Sequence, residues 1–144
     1  MSYQTEFSDF PAADMPAIPA GFTDESWHND ACPRFDNAEL GLTLWIDFLN
    51  PAERETAGGT RFILCSGDDK PDSETIESDD IADINEAIEL ARIMRAGGYY
   101  ILTDDSDKRA TAYHVMIADR RIHLAYSKID AADFIRAHHE GKTK

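Results

Sequence analysis

The chain has 144 residues, 42% of them hydrophobic, and its 28 acidic and 14 basic side chains give a formal net charge of −14. This length suits one folded domain, and the hydrophobic content is too high for a chain that is disordered throughout. The negative charge argues against direct binding to nucleic acid or to an anionic membrane, and no run of about 18 apolar residues is present that would span a bilayer.

Residues 1–38 contain four prolines and no sustained hydrophobic period, a pattern typical of an extended N-terminal arm. The arm also carries large apolar side chains, among them Phe10 and Trp27, which would be costly to leave in water. We therefore expect the arm to pack on a single α+β domain formed by residues 39–144.

Strict alternation begins after Glu39, where every second residue from Leu40 to Phe48 is apolar. A period of two residues predicts a strand with one buried face. Asn50-Pro51 ends this strand, and residues 60–65 predict a second one. Residues 66–79 are rich in glycine, proline, serine and acids, so we expect them to form a surface loop.

Apolar residues recur at three- and four-residue steps between residues 80 and 96, which predicts a helix that Gly97-Gly98 ends. A second helix is predicted over residues 131–140, with Asp130 as its N-cap. Three further strands are predicted over residues 99–103, 111–118 and 121–127. The fold class is therefore α+β: an antiparallel sheet of about five strands with two helices, in the order β-β-α-β-β-β-α.

Charge is distributed unevenly along the chain. Residues 1–107 hold 24 acids and 6 bases, a net of −18, whereas residues 108–144 hold 4 acids and 8 bases, a net of +4. Such a dipolar molecule favours a basic protein surface as its partner, including that of a nucleic-acid-binding complex.

The densest acidic segment precedes and begins the first predicted helix. Its candidate partner-binding residues are Asp68, Asp69, Asp72, Glu74, Glu77, Asp79, Asp80, Asp83 and Glu86. A strip of carboxylates can imitate a phosphate backbone and occupy a cationic groove. The alternative is that these acids only keep a loop and a helix end solvated.

A second candidate site combines residues of the arm and of the last predicted strands. Trp27, His28 and Cys32 lie close in sequence, and a thiol with a histidine base is a nucleophilic arrangement. The alternative is that Trp27 anchors the arm and Cys32 fills space. If Asp119-Arg120 forms a two-residue turn, His114 and His123 share one face of the sheet and can contact a common ligand.

Several sites are not indicated by the residues. The two cysteines and five histidines lack the paired spacing of a zinc site, and no glycine-rich nucleotide-binding motif is present. We therefore expect neither a metal nor a cofactor. The first ten residues lack the pattern of a secretory signal, so we expect a cytoplasmic protein whose thiols stay reduced.

Three segments resemble small acidic proteins encoded on bacterial plasmids and prophages. They are Gly21-Phe22-Thr23-Asp24-Glu25-Ser26-Trp27-His28-Asn29-Asp30-Ala31-Cys32-Pro33, Leu44-Trp45-Ile46-Asp47-Phe48 and Pro51-Ala52-Glu53-Arg54-Glu55. The resemblance covers roughly the first half of the chain and implies a setting, in which such proteins are often antirestriction or anti-CRISPR inhibitors that act by binding.

These observations favour a non-enzymatic acidic binding protein of a phage or plasmid that inhibits a nucleic-acid-binding host defence complex. Two alternatives stay open. One is a small enzyme whose site lies between the arm and the sheet, and the other is a structural module that associates with itself.

Overall fold

The computed structural model describes residues 2–55, 58–66, 75–107, 109–118 and 120–143. Its helices and strands, in chain order, are α1 (Tyr3–Glu6), β1 (Thr23–Asp24), β2 (Arg34–Asn37), β3 (Leu42–Ile46), β4 (Phe62–Ser66), β5 (Ile76–Ser78), α2 (Ile81–Gly97), β6 (Tyr99–Asp104), β7 (Ala112–Ile117), β8 (Arg120–Ala125) and α3 (Lys128–Thr143). The α+β class is confirmed. The chain divides into two compact units, residues 1–87 and 88–144.

The first unit contains a five-stranded antiparallel sheet in the order β1-β2-β3-β4-β5. The alternation predicted for β3 decides which face is buried, because Leu44 and Ile46 are both 0% exposed. Leu44 pairs with Phe35 on β2 and with Leu64 on β4, and both partners are buried. One face of this sheet therefore forms the hydrophobic core of the first unit.

The N-terminal segment differs from the extended arm that the prolines predict. Both β1 and β2 lie within residues 1–38, and β2 pairs with β3 along its whole length. Phe10 is buried, with its ring centroid 5.0 Å from that of Phe48. This segment is thus part of the sheet and of the core. The four residues after Pro33 are enough to form a strand that pairs with β3.

The predicted surface loop over residues 66–79 also contributes a strand. Ile76–Ser78 forms β5 and pairs with β4, so that Phe62 lies opposite Ser78. Residues 67–74 lie outside the described residues. The polar composition of β5 hid it from the sequence pattern, because pairing with β4, and not its own propensity, holds it in place.

The second unit contains a separate three-stranded antiparallel sheet, β6-β7-β8, so the expectation of one sheet is corrected to two. Its core comprises Tyr99, Val115, Ala125, Ala131 and Ile135. Leu90, Ile93 and Met94 of α2 and Phe134 of α3 pack against that core. Helices therefore cover one face of this sheet.

The helix ends follow the expected chemistry at slightly different residues. Helix α2 begins and ends one residue later than predicted. Helix α3 begins at Lys128, and the Oγ atom of Ser127 accepts a hydrogen bond of 3.1 Å from the backbone N–H of Asp130. Ser127, not Asp130, is therefore the residue that caps α3, and Asp130 lies in its first turn.

The hairpin between β7 and β8 has a different register from the predicted one. Ile117 pairs with Arg120, whereas an Asp119-Arg120 turn would place it opposite Ile122. A bulge between Val115 and Met116 then shifts the pairing by one residue, so that Val115 lies opposite His123. Such a shift moves side chains to the other face of a sheet.

Candidate functional site

The predicted acidic strip is only partly described by the structure. Asp68, Asp69, Asp72 and Glu74 lie outside the described residues. The remaining five members are Glu77, Asp79, Asp80, Asp83 and Glu86, and all five are exposed. They extend from β5 through the first turns of α2, so one continuous stretch of backbone presents them.

Two of these carboxylates fix the start of α2. The Oδ1 atom of Asp80 accepts a 2.9 Å hydrogen bond from the backbone N–H of Ala82, and the hydroxyl of Ser78 donates to Oδ2 of Asp83 at 2.7 Å. The Ser78 hydroxyl also accepts from the N–H of Asp80 at 3.0 Å. Acidic groups at a helix N-terminus satisfy free N–H groups and stabilise the helix dipole. This end of the acidic surface is therefore held in a defined geometry.

Asp79 has a different role, because it joins the end of β5 to Arg54 and Arg61, which both precede β4. Its Oδ1 atom accepts from Nη1 of Arg54 at 3.2 Å and from the backbone N–H of Arg61 at 2.8 Å. The side chain of Arg54 is only 8% exposed. Asp79 is thus the one described member of the strip that is paired with a buried arginine.

Arg54 in turn organises the loop after β3. Its guanidinium donates to the carbonyl oxygens of Phe48 at 2.7 Å, Gly59 at 2.8 Å and Leu49 at 3.1 Å. Guanidinium offers five donors in a rigid plane, so one side chain can hold several segments together. The sequence offered no signal for this role, because the acceptors are backbone carbonyl groups.

Part of the strip lies on one side of α2, where Glu89 continues it. Ile84 and Ile88 are buried at one turn's spacing, while Asp83, Glu86 and Glu89 are exposed. Of these, Glu89 lies 3.7 Å from Nη1 of Arg92. Residues three apart are neighbours on a helix surface, so these carboxylates form one negative stripe.

The charge asymmetry coincides with the division into two units. Residues 1–87 hold 20 acids and 4 bases, a net of −16, and residues 88–144 hold 8 acids and 10 bases, a net of +2. All nine residues of the acidic strip belong to the first unit. The negative field of the protein therefore originates in one compact body and not in the chain as a whole.

The arm residues of the second candidate site have separate environments. Trp27 is 42% exposed, which disfavours the alternative that it anchors the arm, and its ring centroid lies 4.4 Å from that of His28. The Nδ1 atom of His28 lies 2.8 Å from Oε2 of Glu6. His28 therefore links α1 to the segment before β2.

Cys32 has the environment of a structural thiol. It is 6% exposed, and burial raises its pKa from 9.0 to about 12, with smaller contributions from the negative charges of Asp47, Glu55 and Asp30. A reactive cysteine needs a lowered pKa, because the thiolate is the nucleophile. The surroundings of Cys32 have the opposite effect.

His114 and His123 lie on opposite faces of the three-stranded sheet, so they do not form the shared site that the predicted register implies. His123 stacks on Phe134 of α3, with centroids 4.1 Å apart. The Nε2 atom of His114 lies 4.0 Å from Oδ2 of Asp104. The bulge between β7 and β8 is the physical reason, since it turns His123 towards the helix.

A cavity that the sequence did not predict lies on the outer face of the five-stranded sheet. Its volume is about 460 Å³, and its wall includes Arg34, Asp36, Thr43, Trp45 and Cys65. The guanidinium of Arg34 lies 5.7 Å from the ring centroid of Trp45 and 3.1 Å from Oδ2 of Asp36. Because the arginine and the carboxylate neutralise each other, this cavity suits a neutral polar group better than an ion.

One signal for this cavity was present in the sequence. Thr43 and Trp45 alternate with the buried Leu44 and Ile46, so they were expected on the outer face of β3. The missing element was β2, whose Arg34 and Asp36 complete the wall.

Comparisons with protein-family models, with curated proteins and with solved structures found no match to this chain. Within the described residues, no group of three or more His, Cys, Asp or Glu side chains is arranged to hold a metal ion. No helix in the described part of the chain is long and apolar enough to cross a membrane.

Proposed function

We propose that this protein is a non-enzymatic acidic binding protein that uses the carboxylates of residues 68–86 to occupy a basic surface on a nucleic-acid-binding protein. The observation that carries the proposal is the concentration of charge in the first unit, a net of −16 over residues 1–87. A body of this charge competes with nucleic acid for a cationic groove, because both displace the same counterions.

The hydrogen bonds at the start of α2 support this proposal. Asp79 and Asp80 are occupied in holding β5 and the helix end, so they shape the surface. Glu77 and Glu86 are exposed and face solvent, which leaves them available to a partner. The strip therefore contains residues that build the surface and residues that present charge.

The resemblance of residues 21–55 to small acidic proteins of plasmids and prophages supports a particular class of partner. In that setting the proposed targets are cytoplasmic host defence complexes that bind nucleic acid, such as restriction enzymes and CRISPR effectors. Inhibition then follows from occupancy of the nucleic-acid groove and needs no chemical step.

The test is a competition assay with fluorescently labelled DNA. A purified restriction enzyme or an RNA-guided nuclease is bound to the duplex, the protein is added, and release of DNA is followed by anisotropy at about 50 and 300 mM salt. We expect release at low salt that weakens steeply at high salt. Undiminished binding of DNA by a panel of such complexes at low salt would contradict the proposal.

Neutralising variants separate the strip from net charge alone. The test variant carries Asp72→Asn, Glu74→Gln, Glu77→Gln and Glu86→Gln. Its control removes four exposed acids elsewhere in the first unit, through Asp9→Asn, Glu25→Gln, Glu53→Gln and Glu55→Gln. We expect the test variant to lose at least about tenfold in competition and the control to lose much less. Equal losses would show that position is irrelevant.

A further inference from the structure

The three-stranded sheet of the second unit has one face that the helices cover and one face that carries two exposed leucines. Val115 is fully buried beneath α3, on the face that the helices cover. On the opposite face Leu102 is 51% exposed and Leu124 is 36% exposed. Large apolar side chains at these positions leave a hydrophobic patch in contact with water.

The register places further residues on the face of Leu102 and Leu124. Cross-strand pairs point to the same side of a sheet, and the two rows here are Tyr100, Met116 and Arg121, and Leu102, His114 and Leu124. Tyr100, His114 and Met116 are half-buried. The six side chains, together with Asp104, define what we call the outer sheet face.

Charges on the outer sheet face lie at opposite ends of a diagonal. Nε2 of His114 lies 4.0 Å from Oδ2 of Asp104, and Nδ1 of His114 lies 3.4 Å from Nη1 of Arg121. Asp104 is at the end of β6 and Arg121 near the start of β8, with His114 between them on the central strand. Hydrogen bonds from Ser106 lower the pKa of Asp104, so it is ionised at neutral pH.

We propose that the outer sheet face binds the same face of a second copy of this chain. A two-fold axis in the plane of the interface, perpendicular to the line from Asp104 to Arg121, places Asp104 opposite the partner's Arg121. The two-fold symmetry forms this Asp104–Arg121 pair twice in the dimer. The same operation brings His114 near the axis and covers Leu102 and Leu124.

Charge complementarity favours a second copy over an unlike partner. An interface between identical patches must be complementary to itself, so a patch of a single sign repels its own image. The outer sheet face carries one negative and one positive group at symmetric positions around His114. The second unit has a net charge of only +2, in contrast to −16 for the first, so the repulsion between copies is least there.

The decisive experiment is a charge exchange followed by sedimentation velocity between about 1 and 300 µM protein, which brackets weak specific association. We expect the native chain to approach about 32 kDa, twice the 16.1 kDa of one chain. Asp104→Arg and Arg121→Asp alone should each weaken the dimer at least about tenfold, because each places like charges opposite one another twice.

Restoring the opposite-charge pairs distinguishes the loss of this interface from a general effect of the substitutions on folding. The double variant Asp104→Arg/Arg121→Asp recreates both pairs with reversed polarity, and an equimolar mixture of the two single variants recreates them in a heterodimer. Both should regain the native dimer. A monomer at every concentration, or a dimer that the single variants leave unchanged, would overturn the proposal.

Two further measurements cover variants that fold poorly. Leu102→Asp should abolish the dimer, whereas Leu49→Asp, at an equally exposed leucine of the first unit, should not. His114→Cys in a Cys65→Ser background should be cross-linked by a short bismaleimide, since facing sheets lie about 10 Å apart, too far for a disulfide. Failure of the folded His114→Cys variant to cross-link would also overturn the proposed dimer.

Discussion

The hydroxyl of Tyr99 lies 2.7 Å from Nδ1 of His138, and this hydrogen bond joins the first strand of the second unit to its last helix. Tyr99 is 5% exposed, so the hydroxyl needs a partner where water is excluded. Burial also raises the pKa of Tyr99, because the phenolate would be poorly solvated there.

We expect Tyr99→Phe to lower the free energy of unfolding of the second unit by about 1 kcal/mol, because the ring stays in the core and only the hydrogen bond is lost. Urea unfolding followed by circular dichroism measures this change. The control is Tyr126→Phe, whose side chain is 67% exposed and whose substitution should leave unfolding unchanged. An unchanged midpoint for Tyr99→Phe would mean that the hydroxyl contributes nothing.

The buried thiol of Cys32 predicts a dependence of stability on alkaline pH. The thiol has a pKa of about 12 in the folded chain and of 9.0 in the unfolded chain, where it is not buried. Between these two pH values only the unfolded chain loses the proton. A raised folded pKa gives stability that is complete below pH 9 and is lost as pH rises towards 12. The expected slope is about 1.4 kcal/mol per pH unit within that window.

Thermal unfolding of native protein and of Cys32→Ala from pH 8 to 11 tests this slope. The variant should lose the thiol's share of the pH dependence, although it is less stable at pH 8 because a buried side chain is shortened. Cys65→Ser serves as the comparison, because Cys65 is only half-buried. Parallel pH curves for native and Cys32→Ala would contradict the assignment.

Arg54 should be critical for the first unit. Arg54→Ala removes donors to three backbone carbonyls and the partner of Asp79, and the carbonyls of Phe48 and Gly59 are partly buried acceptors that lose their donor. We expect a loss of about 3 kcal/mol, measured by chemical unfolding. Arg54→Lys should recover only part of it, since an ammonium group cannot span the same acceptors. Arg109→Ala, at a 92% exposed arginine, should have no measurable effect.

Two helical glycines should respond in opposite ways to alanine. A Cβ atom at Gly97 would collide with the ring of Tyr99, whereas one at Gly141 meets open space. Gly97→Ala should therefore destabilise the second unit by about 1–3 kcal/mol, despite the better helix propensity of alanine. Gly141→Ala should raise stability slightly or leave it unchanged. A comparison of melting temperatures decides the point, and a stabilising Gly97→Ala would show that Tyr99 moves aside freely.

Local patterns predicted the longer elements well. Alternation placed Leu44 and Ile46 on the buried face of β3, and the three- and four-residue spacing located α2 to within one residue. These patterns succeed because burial of one face imposes a fixed period on the sequence. The candidate acidic surface was equally visible, since charge is read directly from the residues.

Short strands were missed for a physical reason. Strand β2 has four residues and β5 has three, too few to establish a period. Each forms because a longer strand offers its edge, so the information lies in the partner. The separation into two sheets was hidden in the same way, because no residue specifies which sheet its strand will join.

The sequence by itself determined the class of the fold, the buried face of the long strands and the concentration of negative charge before residue 108. Tertiary structure alone decided that His114 and His123 lie apart, that Cys32 is buried, and that Arg54 holds Asp79. The difference arises because periodicity is set by each segment's own contact with a core. A bulge, a buried thiol's surroundings or an arginine's carbonyl partners depend on segments that are remote in the chain and meet only when it folds.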